Sequence, residues 1–191
     1  MTDEAVRWML AVVQVPAKPS RHRVAVWREL RRAGAVPVSQ GTWALPAADP
    51  FRTAAARAAG LAVEGGGTVA VFDVEPRDAA ARTLIEDAFR AARVDEWREF
   101  SADCGKFEDE IAKEIAKEKF TFAELEEEEQ SLDRLRRWFR DLRKRDVLAL
   151  PEARTAAERL RICADTLEGY AELVYAAVHG DAPGGVEPSG G

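Results

Sequence analysis

The sequence predicts an α+β fold, in which a ferredoxin-like split βαββαβ module precedes a long antiparallel helical extension. Two observations predict this class. Up to residue 75, short runs rich in β-branched residues alternate with helical stretches, and from Arg77 onward apolar residues recur at steps of three and four. The predicted boundaries are 1–76 for the module, 77–179 for the extension and 180–191 for a disordered tail rich in Gly and Pro.

The module begins with a strand and a helix. Residues 7–15 form an apolar run that is rich in β-branched side chains and closed by Pro16, which is typical of a central strand. Ser20 is a typical N-cap residue, so the next helix is predicted over 21–33 and ends before Gly34. The apolar side of this helix is predicted to contain Val24, Val26, Trp27 and Leu30.

A hairpin, a second helix and a last strand complete the module. Residues 35–46 indicate two short strands around a turn at 39–41, and Pro37 places the first of them at a sheet edge. An alanine-rich helix is predicted to run to Gly60, and the β-branched run 68–74 predicts the fourth strand.

The extension is predicted to contain helices only. Thr121 and Glu124 form a capping box that starts a new helix, and Pro151 opens the last one. Narrow apolar seams of this kind suit antiparallel packing. The first seam comprises Trp97, Phe100, Cys104, Phe107, Ile111 and Ile115. The next helix presents Leu132, Leu135, Phe139 and Leu142. The last seam comprises Ala156, Leu160, Cys163, Leu167, Tyr170, Val174 and Ala177.

Composition narrows the classes of function. A net charge of −6 argues against a protein that coats nucleic acid over its whole surface, although a local basic patch remains compatible with it. The acidic N-terminus and the lack of an apolar run near ~20 residues predict no signal peptide and no membrane span, so we expect a cytoplasmic protein. Cys104 and Cys163 fall on apolar helix positions and are predicted to be buried, reduced thiols.

A basic stripe on the first helix is the strongest candidate site. Arg21, Arg28 and Arg32 fall within about 40° of one another on a helical wheel, on the side opposite the predicted apolar face. Arginine presents a planar fork that suits phosphate oxygens. The alternative is a solvated helix face that acidic helices of the same chain partly neutralise. The predicted nucleic-acid-binding residues are the stripe and its neighbours, Lys18, Arg21, Arg23, Arg28 and Arg32.

A second group of basic residues favours a simpler interpretation. It comprises Arg136, Arg137, Arg140, Arg143 and Lys144. The same predicted helix begins with glutamates and ends with these cations, which is the distribution that the helix dipole favours. We therefore expect solvation and local neutralisation here rather than direct contact with nucleic acid.

Catalytic patterns are lacking in the sequence. It contains no Gly-rich phosphate loop, no nucleophile elbow and no zinc-ligand spacing. His22 and His179 have no companion at ligand spacing, and Asp73 is an isolated carboxylate. We therefore predict no catalytic residue, no metal and no cofactor.

Five segments carry a family resemblance. They are WMLAVVQVP at 8–16, PSRHRVAVWRELRR at 19–32, GTWALP at 41–46, FTFAELEE at 120–127 and LRRW at 135–138. Together they resemble the N-terminal domain of the bacterial chromate-resistance regulator ChrB, over most of residues 7–178. The resemblance implies a non-catalytic transcriptional regulator that binds DNA, as a homodimer. Full-length ChrB proteins carry a further domain associated with the chromate response, which we do not expect within this sequence.

The first 75 residues are more distantly similar to the ferredoxin-like domains of PaaX-type repressors and of the CRISPR adaptation subunit. In the latter an aspartate ends the first strand and serves metal-dependent cleavage, whereas Gln14 stands here. Glutamine is a poor ligand for hard metals. Three functions therefore compete, in decreasing order: a DNA-binding regulator, a protein-interaction module without DNA binding, and a metal-dependent nuclease.

Overall fold

Four strands form one antiparallel sheet in the order β2-β3-β1-β4. The computed structural model describes residues 6–180. The strands are β1 (Trp8–Gln14), β2 (Val36–Ser39), β3 (Thr42–Pro46) and β4 (Thr68–Val74). Trp8 pairs with Pro46 on one side and Val74 on the other, so the first strand is central, as predicted. The predicted hairpin is also confirmed, and β2, which contains Pro37, lies at a sheet edge.

Two helices connect these strands, α1 (Ser20–Ala33) and α2 (Phe51–Glu64), and they pack against each other. The predicted end of the second helix at Gly60 is wrong. A Cβ at Gly60 would meet no atom within 4 Å, so this glycine lies in open space. Ala58 and Ala62, on either side of it, are fully buried. Burial of these neighbours offsets the roughly 1 kcal/mol that a glycine costs inside a helix.

The described residues 6–96, together with Asp141–Pro151, form one compact unit, called here the sheet unit. Its core combines the sheet and helices α1 and α2 with the first part of α3 (Ala79–Ala116). The Phe89 ring of α3 meets Trp8 and Phe51 edge to face, with ring centroids 5.3 and 6.2 Å apart. These aromatic contacts fix the start of α3 to the sheet.

The remaining described residues, 97–140 and 152–180, form the helical unit. It contains the rest of α3, most of α4 (Phe122–Arg145) and α5 (Glu152–Gly180). Cys104 of α3 contacts Cys163 of α5. Glu108, four residues later on α3, binds Arg159, four residues earlier on α5. The helices α3 and α5 are therefore antiparallel. Residues 77–180 contain no strand, which confirms the predicted change from mixed to helical structure.

Most predicted seam residues are buried, including both cysteines, which are free. Four are not: Ile115 is 37% exposed, Ala177 is exposed, and Phe139 and Leu160 are half-buried. One half of the predicted capping box of α4 is present, because the Glu124 N–H donates to Thr121 Oγ1 at 3.3 Å, while Glu124 Oε1 accepts from Lys119 Nζ at 3.2 Å. Within residues 6–180, no helix is both long and apolar enough to cross a membrane. Of the tail predicted over 180–191, Gly180 still belongs to α5, and residues 181–191 lie outside the described part of the chain.

Together these observations establish an α+β protein with a four-stranded antiparallel sheet and mostly helical structure.

Candidate nucleic-acid interface

Helix α1 carries the predicted site, and its two ends are built differently. The prediction of Ser20 as N-cap is wrong, because the extended Pro19 already occupies that position and no side chain caps the helix. At the other end Gly34 adopts φ 89°, a left-handed conformation that favours glycine. The Gly34 N–H donates to Arg31 O and the Ala35 N–H to Leu30 O, each at 3.0 Å, which closes the last turn.

The buried side of α1 is narrower than predicted. Val26 and Leu30 are buried, but Trp27 is 50% exposed and Val24 is 37% exposed. Trp27 lies one residue, or about 100°, beyond Val26 and therefore on the flank of the helix rather than under it. The placement of Trp27 and Val24 on the core side was wrong. The periodicity of the apolar residues did not indicate that only the side with Val26 and Leu30 is buried.

All five predicted binding residues, Lys18, Arg21, Arg23, Arg28 and Arg32, are exposed. The helix brings Arg21, Arg28 and Arg32 to one side, as the wheel predicted. Arg23 does not join them, since two residues correspond to about 200° of rotation. Lys18 precedes the helix.

Two of the stripe residues have local partners. Arg32 binds Glu29 at 2.7 Å, and the Arg21 Nε–H donates to His22 Nε2 at 3.1 Å. His22 is half-buried, with its Cβ near Gly65 at the end of α2. An exposed ion pair contributes little to stability, so Arg32 can exchange Glu29 for another anion at low cost.

Sequence reasoning missed a pair beside the stripe. The Arg31 guanidinium lies over the exposed Trp27 ring, 5.7 Å from its centroid. The spacing of four residues between them places the two side chains next to each other on a helix and could have indicated this contact. The exposed side of α1 therefore combines guanidinium groups with one large aromatic surface.

Two arginines from distant parts of the chain hold the C-terminal end of α1. Arg93 Nη1 donates to Gly34 O at 2.8 Å, and Arg145 Nη1 donates to Arg32 O at 3.1 Å. Both guanidiniums share Glu96, at 2.8 and 3.6 Å. Burial lowers the pKa of Arg93, and the charge of Glu96 opposes this effect. Cations at this end also complement the helix dipole.

The second basic group, on α4, is exposed and partly neutralised within its own helix. Arg136 binds Asp133 at 3.2 Å and Lys144 binds Asp141 at 3.1 Å. Arg137, Arg140 and Arg143 are exposed as well. These short-range pairs support the simpler interpretation, in which acidic residues three positions earlier serve as partners.

Two residues were considered for catalysis, Asp73 and Gln14. Asp73 is not isolated, because Arg52 binds it at 2.9 Å, and this corrects the expectation from sequence. Gln14 is exposed at the end of β1, where it pairs with Thr68. Among residues 6–180, no group of three or more His, Cys, Asp or Glu side chains could hold a metal ion.

Comparison with known proteins gives one family. The model described as Protein ChrB, N-terminal, matches residues 23–181, which include α1 from its fourth residue, the rest of the sheet unit beyond it and the helical unit. No curated protein matches the chain. No solved structure matches it either.

Proposed function

Because this chain belongs to the ChrB N-terminal family, we propose that its regulatory role includes binding duplex DNA through the exposed side of α1. The observation that carries this proposal is the arrangement of Arg21, Arg28 and Arg32, three exposed guanidiniums on one side of a single helix. The anchoring of its C-terminal end by Arg93 and Arg145 holds that helix in place.

The chemistry of this surface suits a phosphate backbone. Guanidinium groups bind phosphate oxygens through paired, charge-assisted hydrogen bonds. Contacts to phosphates position a protein on DNA without reading its sequence, so the stripe would supply affinity rather than specificity. A chain with a net charge of −6 needs such a local surface, because its overall field repels DNA.

The first prediction concerns the triple variant Arg21→Ala, Arg28→Ala, Arg32→Ala. Each arginine removed from phosphate contact should lower the slope of log affinity against log salt by roughly one unit, so the triple variant should lose about three. Affinity should fall by a similar factor on unrelated duplexes. Fluorescence anisotropy with labelled DNA at several salt concentrations measures both quantities.

The matched control replaces Arg136, Arg137 and Arg140 with alanine. It removes the same charge from an equally exposed helical surface, and we expect its slope to stay close to that of the wild type. Circular dichroism checks that both variants are folded. The proposal would be contradicted if the folded α1 triple variant kept the wild-type slope of log affinity against log salt. It would also be contradicted if both triple variants lost the same amount of slope.

A protein-interaction module is the alternative function, and the Trp27–Arg31 pair favours it. Tryptophan and arginine are the residues most enriched at energetic centres of protein interfaces, and Trp27 is half-exposed. Under this alternative, Trp27→Ala abolishes capture of a protein partner and leaves the salt dependence of DNA binding unchanged.

We also propose that the domain is not an enzyme. Asp73 is held by Arg52, and Gln14 is a poor ligand for a hard cation, which supports this view. Incubation of DNA and RNA with the protein and Mg²⁺ or Mn²⁺ tests it. Cleavage that is lost in Gln14→Ala would favour the nuclease hypothesis instead.

The remaining expectations concern topology and location. We propose that β1–β4 with α1 and α2 form a ferredoxin-like split βαβ module, supported by the chain order of these elements and by a central β1. We further propose a cytoplasmic homodimer, in keeping with the family.

A further inference from the structure

A cavity of about 500 Å³ lies in the helical unit, between α3 and α4. Its wall on α4 extends from Glu128 to Trp138, which corresponds to about 15 Å along the helix axis. The volume is in the range of small-molecule binding sites, and the length suits an elongated ligand. The lining residues are Asp103, Lys106, Phe107 and Glu110 of α3, and Glu128, Ser131, Arg134, Leu135 and Trp138 of α4.

Glu128 supplies a buried carboxylate without a partner. The residue lines the cavity and is only 9% exposed. It makes no hydrogen bond or ion pair with any other residue in the described range 6–180. Both carboxylate oxygens keep solvent-accessible surface, so a ligand in the cavity can reach them. A buried charge without a partner is costly, and a bound cation would provide that partner.

The other charged side chains of the lining already have partners. The contacts that hold them are Lys106–Asp103 at 2.5 Å, Lys113–Glu110 at 2.9 Å and Arg134–Ser131 at 2.7 Å. Three carboxylates and two cations line the cavity, so the lining has a formal charge of −1. Glu128 carries the negative charge that no side chain of the lining neutralises.

The electrostatic surroundings of Glu128 also favour a cation. Burial raises the pKa of Glu128, and the negative charges of Glu110, Glu114 and Glu127 raise it further, whereas the charge of Arg134 lowers it. A positive charge next to the carboxylate offsets the first two effects. Within residues 6–180, no group of three or more His, Cys, Asp or Glu side chains could hold a metal ion. The site therefore suits an organic cation that carries N–H donors.

Apolar surface extends from Glu128 along the cavity. Phe107 and Leu135 are buried, and Trp138 is half-buried with its ring edge to face against Phe100, at 5.3 Å between centroids. Leu135 and Trp138 follow Glu128 on α4 by seven and ten residues, so they lie progressively farther from the carboxylate. The cavity thus offers an unpaired carboxylate at one end and aromatic surface toward the other.

We propose that this cavity binds an elongated organic ammonium ion. The ammonium group donates hydrogen bonds to the Glu128 carboxylate, and the apolar body lies along Leu135 toward Trp138. Charge-assisted hydrogen bonds of this kind are about twice as strong as neutral ones. Binding here does not require that α1 binds DNA, so each proposal can fail without the other.

The test uses 4-phenylbutylammonium as the probe and isothermal titration calorimetry on the full chain. We expect saturable binding, and the neutral 4-phenylbutanol, which has the same apolar body, should bind about tenfold more weakly or not at all. In ¹H–¹⁵N spectra the probe should shift the indole signal of Trp138, because its phenyl ring lies toward that side chain. The signal of the half-exposed Trp27 on α1 should not move.

Two variants complete the experiment. Glu128→Gln should raise the dissociation constant of the probe by about tenfold or more. It keeps the size of the side chain and removes a buried charge, so the variant should fold, which circular dichroism checks. Glu129→Gln removes the same charge from an exposed position outside the lining and should change the constant by less than about twofold. The proposal is overturned if the probe does not bind saturably, if 4-phenylbutanol binds equally well, or if both variants change the constant equally.

Discussion

Trp27 and Leu30 are three residues apart on α1 but differ in burial, with 50% and 0% of their surfaces exposed. Leu30→Ala should lower the free energy of unfolding by about 2–5 kcal/mol, because it leaves a cavity in the core. Trp27→Ala should lower it by about 1 kcal/mol, since much of the ring is already in water. Urea denaturation measures both. A loss of about 3 kcal/mol or more in Trp27→Ala would mean that the ring is buried in solution.

Glu128 in the helical unit is a buried carboxylate that destabilises the fold when charged. Desolvation raises its pKa, and the negative charges of Glu110, Glu114 and Glu127 raise it further. Its pKa in the folded state is therefore above that in the unfolded state. Between these two values the folded state binds more protons, so stability falls as pH rises through this interval, and the loss persists above it.

Glu128→Gln should therefore raise the free energy of unfolding at pH 7. The gain should shrink as the pH is lowered through the pKa of Glu128, because the wild-type side chain then becomes neutral too. The neighbouring Glu129→Gln, which removes the same charge from an exposed position, should have little effect at either pH. Thermal unfolding across a pH series measures both, and a gain that does not depend on pH would contradict this explanation.

At the scale of one helix, the two glycines at positions 34 and 60 should respond in opposite ways to alanine. Gly34 has φ 89°, and a Cβ there would lie 2.6 Å from Arg93 Nη1 and 2.9 Å from Arg145 Cδ. Gly34→Ala should therefore cost about 1–3 kcal/mol. Gly60→Ala, in open space within α2, should stabilise the protein by about 0.5–1 kcal/mol. Chemical denaturation measures both changes in the free energy of unfolding. Equal changes for Gly34→Ala and Gly60→Ala would contradict the role of backbone strain at Gly34.

Most elements could be predicted because their signals are local. The β-branched run 68–74 and the turn at Gly41 depend on neighbouring residues, and both agree with the structure. The end of α2 could not be predicted in this way. Gly60 resembles a helix stop, but burial of Ala58 and Ala62 outweighs its cost.

The candidate site was predicted only in part, for a similar reason. Which arginines share one side of α1 follows from helical geometry, so Arg21, Arg28 and Arg32 were found. The side of the helix that docks on the sheet depends on partners elsewhere, so Trp27 was misplaced. The bonds of Arg93 and Arg145 to α1 join residues 59 and 113 positions apart, and no local pattern indicates them.

For the whole molecule, the family leads us to expect a homodimer. Multi-angle light scattering should give a mass twice that of the 21.1 kDa chain, at concentrations at which DNA binding is measured. A monomeric mass under those conditions would contradict this expectation. It would also limit the DNA contact to a single α1, because a two-fold dimer presents each binding surface twice.

The anchoring of α1 also bears on the order in which the chain folds during synthesis. The first strand and helix leave the ribosome early, but Phe89, which completes their core, and Arg93, which binds Gly34 O, follow much later. Arg145, which binds Arg32 O, is made later still. Arg145 follows Arg32 by 113 residues, so at translation rates of about 5–20 residues per second the end of α1 lacks its second partner for roughly 6–23 s after it is synthesised. During that interval the last carbonyl groups of α1 are without these partners, and the basic stripe gains its second anchor only once α4 has emerged.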